Sequence, residues 1–378
     1  MAKTVIEELG EFGQSVWLDN ISRSLIESGK LKEMIGLGIR GMTSNPTIFD
    51  KAISLSDDYD ETIRELYKSG KSTFEIYDDL TIKDVQEAAD IFRPVYDRTN
   101  GRDGYVSLEI NPKLASKTRE TIEEGKRLHE KVNRPNVLFK VPSTEAGFEA
   151  IEELLSQGIN VNVTLIFSLE QYKKTAEAFL KGIDRLSQNQ GDLSNIHSVA
   201  SIFVSRIETV ADGMIDERMK KEMDAERRNK LKALKGKAAV ANAKIIFAEY
   251  LDIFSGSAFR QLEDKGASVQ RVLWASTGTK NPDYSDIKYV SELIAGNTVN
   301  TVPDKTIEAF LDHGEVKEAV TGDARAAQGI VEDLKGFGID IDNICAKLLE
   351  DGVVAFEKSF EALLHAIETK IENLCPES

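Results

Sequence analysis

The chain has 378 residues, of which 41% are hydrophobic and 30% are charged, so it can form a sizeable packed core and disorder is not expected. Its most apolar stretches, such as residues 243–251, are interrupted by Lys or Glu long before the roughly 18 apolar residues that a membrane-spanning helix needs. Lys and Arg total 48 against 64 Asp and Glu, a net charge of −16 that argues against nucleic acid as a partner. A small anionic ligand is still allowed, because a few Lys and Arg gathered in one pocket can hold it.

The cysteines and the N-terminus indicate a compartment. Cys345 and Cys375 are the only two cysteines, too few for a disulfide framework in a chain of this length. Residues 1–10 contain no apolar segment of the kind found in signal peptides. We therefore expect a reducing, cytoplasmic location. The sequence carries no signal for a particular oligomeric state.

Short apolar or β-branched runs alternate with amphipathic stretches, and this alternation predicts eight strands, expected to be parallel, joined by helical crossovers. A representative crossover helix is predicted over residues 144–157, where apolar residues mark one face and Gly158 ends the pattern. The predicted strands are residues 14–19, 38–43, 105–110, 137–141, 160–166, 199–205, 271–276 and 293–299.

Eight strands with helical crossovers favour an α/β protein with a (β/α)8 barrel, whose usual size is about 250 residues. The surplus lies in two long connections, 44–104 and 206–270, and in a helical C-terminal extension from about 302 to 378. We expect the extension to pack against the barrel, so that residues 1–378 form a single domain. An open doubly wound sheet is the alternative, since the same alternation permits it. The apolar positions at helical spacing in the extension are Ile344, Leu348, Leu349, Val353, Phe356 and Phe360.

Two familiar cofactor patterns do not apply to this chain. Gly36, Gly38 and Gly41 spell G-x-G-x-x-G, but a predicted helix precedes them and a predicted strand follows, the reverse of a dinucleotide-binding turn. The four histidines and two cysteines are not spaced as zinc ligands. We expect neither a bound cofactor nor a metal. The histidines are His129, His197, His313 and His365.

A lysine lies inside the fourth predicted strand. Strand alternation places Lys140 with Leu138 on one face, opposite Val137, Phe139 and Val141. Both faces of a barrel strand are covered, and a lysine in a dry setting loses affinity for its proton because the ammonium is poorly solvated. A neutral amine can form a Schiff base with a ketone. The alternative is a strand-end lysine whose stem reaches solvent or which pairs with a carboxylate.

Other predicted strands carry polar residues of one parity near their C-terminal ends, where the active sites of barrels lie. Buried parallel strands are otherwise nearly all apolar, so these departures predict a shared pocket. The polar residues are Asp19, Thr43, Asn45, Ser107, Glu109, Asn160, Asn162, Thr164, Ser201 and Ser205.

Five motifs, taken in order, resemble transaldolase along nearly the whole chain. The motifs are GMTSNP at 41–46, VSLE at 106–109, FKVPST at 139–144, NVNVTLIF at 160–167 and SIFVSR at 201–206. The resemblance implies a metal-free Schiff-base transfer in a (β/α)8 barrel, a step of the pentose phosphate pathway. A dihydroxyacetone unit would pass from sedoheptulose 7-phosphate to glyceraldehyde 3-phosphate, giving erythrose 4-phosphate and fructose 6-phosphate.

The resemblance also implies residue roles. Lys140 matches the Schiff-base lysine, Asp19 the carboxylate that handles the proton of the substrate hydroxyl, and Glu109 the carboxylate that works through a bound water. Arg206 matches the arginine that binds the substrate phosphate. Many relatives have Ser-x-Arg in the second phosphate-contacting segment, whereas this chain reads STGTK at 276–280. Lys280 would take over the charge as a point charge without the bidentate fork; as an alternative it is a solvated loop lysine. The remaining residues that the resemblance places at the substrate are Thr43, Asn45, Asn162, Thr164, Ser201, Phe203 and Ser276.

Two other functions compete with this hypothesis. A fructose 6-phosphate aldolase of the same superfamily would release free dihydroxyacetone, although Glu109 and Phe203 favour transaldolase. A non-catalytic sugar-phosphate-binding barrel would show saturable binding without turnover.

Overall fold

Eight parallel strands close into a barrel in the computed structural model, which describes residues 3–376. Each strand pairs with the next, and the eighth pairs with the first. The (β/α)8 prediction is thus confirmed, and the open-sheet alternative is wrong. The strands are β1 (Gln14–Leu18), β2 (Gly41–Thr43), β3 (Tyr105–Glu109), β4 (Val137–Pro142), β5 (Val161–Ile166), β6 (Ser198–Phe203), β7 (Arg271–Ala275) and β8 (Thr298–Val302).

Helices surround the barrel and fill both long connections and the C-terminal extension. Within residues 3–376 they are α1 (Val5–Phe12), α2 (Arg23–Glu27), α3 (Lys30–Gly36), α4 (Pro46–Ser54), α5 (Asp60–Lys68), α6 (Thr73–Arg98), α7 (Thr118–Val132), α8 (Glu145–Ser156), α9 (Leu169–Gln188), α10 (Ser205–Lys221), α11 (Ala225–Leu234), α12 (Ala238–Ser255), α13 (Ser257–Glu263), α14 (Lys288–Ser291), α15 (Asp304–His313), α16 (Arg325–Gly336) and α17 (Ile341–Leu374). None of the helices in this part of the chain is long and apolar enough to cross a membrane.

The eighth strand was predicted wrongly. Residues 293–299 were expected to form it, whereas β8 begins only at Thr298. The apolar run Leu293, Ile294 and Ala295 is buried in the turn before the strand. Within β8, Asn300 and Thr301 are polar, which hides the strand from a search for apolar runs. The other seven strands begin and end within three residues of their predicted positions.

Close packing inside the barrel explains Gly41. A Cβ atom at this position would lie 2.7 Å from the ring of Trp17, a fully buried side chain of β1. Because β1 and β2 pair at Trp17 and Gly41, the missing side chain lets the indole fill the space beside the strand. The last glycine of the G-x-G-x-x-G pattern therefore has a packing role.

The extension ends in α17, a helix of 34 residues that is about 51 Å long. It packs against α4, α5, α6 and α10 and reaches the end of β5. Phe360 is 1% exposed, and Ile344 and Phe356 are also buried, so the predicted apolar face is the face that packs. The extension therefore lies against the barrel, while the division of the chain into one domain stays a prediction.

Candidate active site

A cavity of about 340 Å³ opens at the carboxyl ends of the strands, the end where barrel active sites lie. A larger groove of about 890 Å³ lies outside the barrel beside α10 and α11 and contains none of the predicted residues. Five residues predicted for the pocket or the substrate do not line the smaller cavity, namely Ser107, Glu109, Asn160, Ser205 and Lys280. The predicted residues that do line it are Asp19, Thr43, Asn45, Lys140, Asn162, Thr164, Ser201, Phe203, Arg206 and Ser276. Asn160 lies before β5 and donates instead to the carbonyl of Pro135.

Lys140 lies inside the barrel on β4, with 7% of its side chain exposed. Its Nζ is 2.6 Å from Oε2 of Glu109 and donates a hydrogen bond of 2.9 Å to the carbonyl of Ser44. Lys140 and Glu109 are register partners on neighbouring strands, so their side chains project into the barrel at the same height. The lysine therefore does not reach bulk solvent, and it is paired with a carboxylate.

Glu109 is the carboxylate behind the lysine. Burial raises the pKa of Glu109, while the charge of Lys140 and its contact oppose that rise. Apart from this ion pair, Oε2 has no hydrogen-bond partner among residues 3–376. A carboxylate whose proton affinity is raised by burial can accept a proton from the ammonium that it touches.

A second carboxylate enters the cavity from the end of β1. Oδ1 of Asp19 accepts a hydrogen bond of 2.9 Å from Oγ1 of Thr43, whose hydroxyl also lies 2.6 Å from Oγ1 of Thr301. Burial raises the pKa of Asp19, and the hydrogen bond from Thr43 and the charge of Lys140 oppose the rise. β1 is three strands away from β4 around the barrel. Glu109 is on β3, directly beside the lysine strand, so the two acid/base candidates come from different strands of the barrel.

Neutral polar groups also line the cavity. The amide of Asn162 is held from both sides, since it donates to Oγ of Ser107 (3.0 Å) and accepts from Oγ of Ser201 (2.7 Å). The hydroxyl of Thr164 is buried and has no hydrogen-bond partner within the described chain. Asn45 caps α4 by accepting a hydrogen bond from the backbone of Ile48. Such fixed groups can orient the hydroxyls of a sugar.

The cavity also contains a cation. Arg206 lies in the first turn of α10, a helix of 17 residues, and its guanidinium is 5.5 Å from the centre of the Phe203 ring. Burial lowers the pKa of Arg206, and no described residue forms an ion pair or a side-chain hydrogen bond with it. Ser276 adds a hydroxyl, 2.9 Å from Oγ of Ser205. A half-buried, unpaired guanidinium at a helix N-terminus suits an anionic group.

Lys280 lies outside this cavity. It lines a neighbouring groove of about 350 Å³ together with Glu208, Asp212 and Tyr284. Burial, and next the charge of Arg206, lower the pKa of Lys280. The two cations are therefore close enough to influence each other. The hypothesis that Lys280 contacts a phosphate stays a prediction.

Six cavity residues were not predicted as site residues, namely Thr47, Ile48, Lys51, Ala275, Thr301 and Phe356. Thr301 was missed because the eighth strand was placed too early, and because it stands on the opposite parity from the polar Thr298 and Asn300. Phe356 belongs to the apolar face of α17 and lies 5.6 Å from Nζ of Lys140, measured to the ring centre. Lys51 comes from α4. In the chain between residues 3 and 376, no three His, Cys, Asp or Glu side chains are grouped as metal ligands. The metal-free reaction stays a prediction.

Comparison with known proteins decides the family. Residues 16–367 match the model of the family described as transaldolase/fructose-6-phosphate aldolase. The chain belongs to this family. It is 47% identical to "Transaldolase" of Trichodesmium erythraeum over 98% of both chains. It is 45% identical to "Transaldolase 2" of a Nostoc species over all of both chains, and 44% identical to "Transaldolase" of Saccharopolyspora erythraea over 97% of this chain and 98% of the relative.

The groove that Lys280 lines also contains a buried carboxyl group, that of Glu208. Glu208 is 2% exposed, and its Oε1 accepts a long hydrogen bond (3.4 Å) from the backbone N–H of Ala239. Its Oε2 has no hydrogen-bond partner among the described residues. Burial, and next the nearby charge of Asp212, raise the pKa of Glu208 to about 7. The folded protein therefore holds this proton over a range of pH in which the unfolded chain has lost it.

We predict that Glu208→Gln stabilises the protein increasingly as the pH rises from about 4.5 to 7. Because the folded state binds the extra proton over this interval, the parent loses stability as the pH rises through it, by about 3 kcal/mol in all. Glutamine keeps an oxygen for Ala239 and carries no charge. Urea unfolding at pH 5, 6, 7 and 8 measures the difference. Glu217→Gln, at an exposed position on the same helix, should show no such gain; a constant difference at all pH values would contradict the prediction.

Proposed function

We propose that this protein is a transaldolase. It would transfer a dihydroxyacetone unit from sedoheptulose 7-phosphate to glyceraldehyde 3-phosphate, giving erythrose 4-phosphate and fructose 6-phosphate. The observation that carries the proposal is the buried Lys140, 2.6 Å from Glu109, in a cavity that is also lined by Arg206. The names of the relatives, which match the chain over nearly its full length, support the same activity.

The reaction begins at Lys140. Glu109 accepts a proton from the ammonium, and the free amine attacks the C2 carbonyl of the ketose. The carbonyl oxygen leaves as water, and a protonated imine remains between C2 and Nζ. The positive nitrogen is the electron sink for the next step. Water formed or consumed at this carbon lies beside Glu109, whose raised proton affinity suits it to hold that water and exchange protons with it.

Carbon–carbon cleavage needs a second base. Asp19 takes the proton of the C4 hydroxyl, the C3–C4 bond breaks, and its electron pair moves into the iminium to give an enamine. The aldose phosphate leaves, and the enamine attacks the aldehyde carbon of the acceptor while Asp19 returns the proton to the new hydroxyl. A well-placed acid or base contributes roughly 10²- to 10⁴-fold to the rate. Water then breaks the C–N bond and frees the product.

Recognition of the rest of the sugar falls to neutral groups and cations. Asn45, Asn162 and Thr164 line the cavity beside the lysine and are assigned to the hydroxyls of the ketose. Arg206 and Ser276 are assigned to the phosphate, because the guanidinium has no protein partner among the described residues. Lys280 is assigned to the same phosphate as a second, weaker cation, because it is near enough to Arg206 for the charge of Arg206 to lower its pKa.

The decisive experiment measures transfer and imine formation together. With fructose 6-phosphate as donor and erythrose 4-phosphate as acceptor, we expect fast transfer and slow release of free dihydroxyacetone. Borohydride reduction in the presence of fructose 6-phosphate should modify Lys140, as shown by peptide mapping. Lys140→Met should abolish both transfer and trapping. Dominant release of dihydroxyacetone would indicate the aldolase instead, and binding without turnover would indicate a sugar-phosphate-binding protein.

Variants of the two carboxylates are expected to distinguish imine formation from overall turnover. Asp19→Ala and Glu109→Ala should each lower kcat by about 10² or more, because each removes an acid/base group. Imine formation, followed by borohydride trapping at Lys140, should survive in at least one of them, since the lysine remains in place. Near-normal turnover in both variants would contradict the assigned roles.

The phosphate assignment is tested by comparing substrates with and without the phosphate. Arg206→Ala should raise KM for fructose 6-phosphate by about tenfold or more, the loss expected for a hydrogen bond to a charged group, and Lys280→Ala should have a smaller effect in the same direction. Neither should change kcat/KM for unphosphorylated fructose, which serves as the internal control. Equal losses with both sugars would show that the substitutions disturb the site in general.

A further inference from the structure

The C-terminal helix α17 is anchored across the carboxyl end of the barrel. Its Gly352 lies so close to Leu165 of β5 that a Cβ atom there would be 3.1 Å from the leucine side chain. Oγ of Ser359 accepts a hydrogen bond of 2.9 Å from Thr47 of α4. Near the start of the helix, Sγ of Cys345 donates a hydrogen bond to the carbonyl of Phe167. These contacts hold α17 over the cavity without any contribution from Phe356.

Phe356 is the residue of this helix that lines the cavity. It is 8% exposed, and its ring centre lies 5.6 Å from Nζ of Lys140. Phe360, one turn later, instead packs edge-on against Tyr77 at 5.1 Å. The role of Phe360 is therefore packing, whereas the ring of Phe356 faces Nζ of Lys140 in the cavity.

An apolar ring at that place has two physical effects. It attracts a positive nitrogen by its face, and the attraction is stronger where water is excluded. It also occupies space beside the nitrogen that water would otherwise fill. Both effects apply to Lys140 as an ammonium and as a protonated imine.

Water near Lys140 has a defined chemical consequence. After cleavage of the donor, the enamine can attack the acceptor aldehyde, forming a new carbon–carbon bond. It can instead take a proton at carbon from water or a neighbouring acid, after which water adds to the imine carbon and the C–N bond breaks. The second route returns the amine and free dihydroxyacetone. The ratio of the two rates depends on access of water to the intermediate.

We propose that Phe356, contributed by the C-terminal extension, sets the partition of the intermediate on Lys140 between transfer to an aldehyde and hydrolytic release of dihydroxyacetone. The inference rests on the proposed transaldolase function and adds a specificity-determining residue to it. Phe356 acts by covering the nitrogen, so its removal changes the product ratio more than it changes imine formation.

The test uses the full-length protein with Phe356→Ala and Phe356→Val. Rates of transfer from fructose 6-phosphate to erythrose 4-phosphate and of dihydroxyacetone release are measured under the same conditions. We expect the ratio of release to transfer to rise about tenfold in the alanine variant, with the valine variant between alanine and parent. Borohydride trapping of Lys140 without acceptor should be retained in both.

Val354→Ala is the matched control. Val354 lies on the same helix, is 46% exposed and is about 200° around the helix axis from Phe356, so its ratio should equal that of the parent. If Phe356→Ala does not fold, the valine variant decides by itself. An unchanged ratio in a folded, transfer-competent Phe356 variant would overturn this inference alone. Absence of trapping and transfer in the parent would instead overturn the proposed function.

Discussion

The buried ion pair between Lys140 and Glu109 is the interaction on which the rest of the site depends. A closed parallel barrel covers both faces of every strand, so a charged side chain that points inward must find a partner or change its protonation state. The strand register places the two residues side by side, with Nζ of Lys140 2.6 Å from Oε2 of Glu109. A buried ion pair is weak support for stability, because desolvation offsets its attraction. Its presence is better explained by chemistry that moves a proton between the two groups.

Burial inside the barrel also affects the other charged groups of the candidate site. The chain carries a net charge of −16, yet no described carboxylate pairs with Arg206, which faces the cavity half-buried. Asp19 and Glu109 are both held by burial toward their protonated forms. The cavity of about 340 Å³ thus contains an unpaired guanidinium as well as a buried carboxyl group, that of Asp19. Local environment, rather than overall charge, determines what the cavity can bind.

The sequence could predict most of the residues that line the candidate site because they lie on strands or at strand ends. Period-two alternation shows which face a residue occupies, and the carboxyl ends of parallel strands meet at one edge, so Lys140 and Asn162 could be placed together. Thr301 was not predicted, because the apolar run that precedes β8 resembles a strand more closely than β8 itself does. Phe356 could be assigned to a buried face, but helical periodicity identifies a face and not the neighbour that covers it.

The role of the extension concerns a choice that the proposed catalytic groups do not determine, namely whether the intermediate is hydrolysed or transferred to an aldehyde. In the proposed mechanism Lys140, Asp19 and Glu109 supply an amine and two acid/base groups, and these serve hydrolysis of the intermediate as well as its capture by an aldehyde. Access of water to the intermediate is therefore set by another part of the cavity. The strands and their ends contribute the three proposed groups, and the part of the chain that lies over Lys140 is α17, through Phe356. Its apolar face thus combines packing, through Phe360, with control of solvent at the reacting nitrogen.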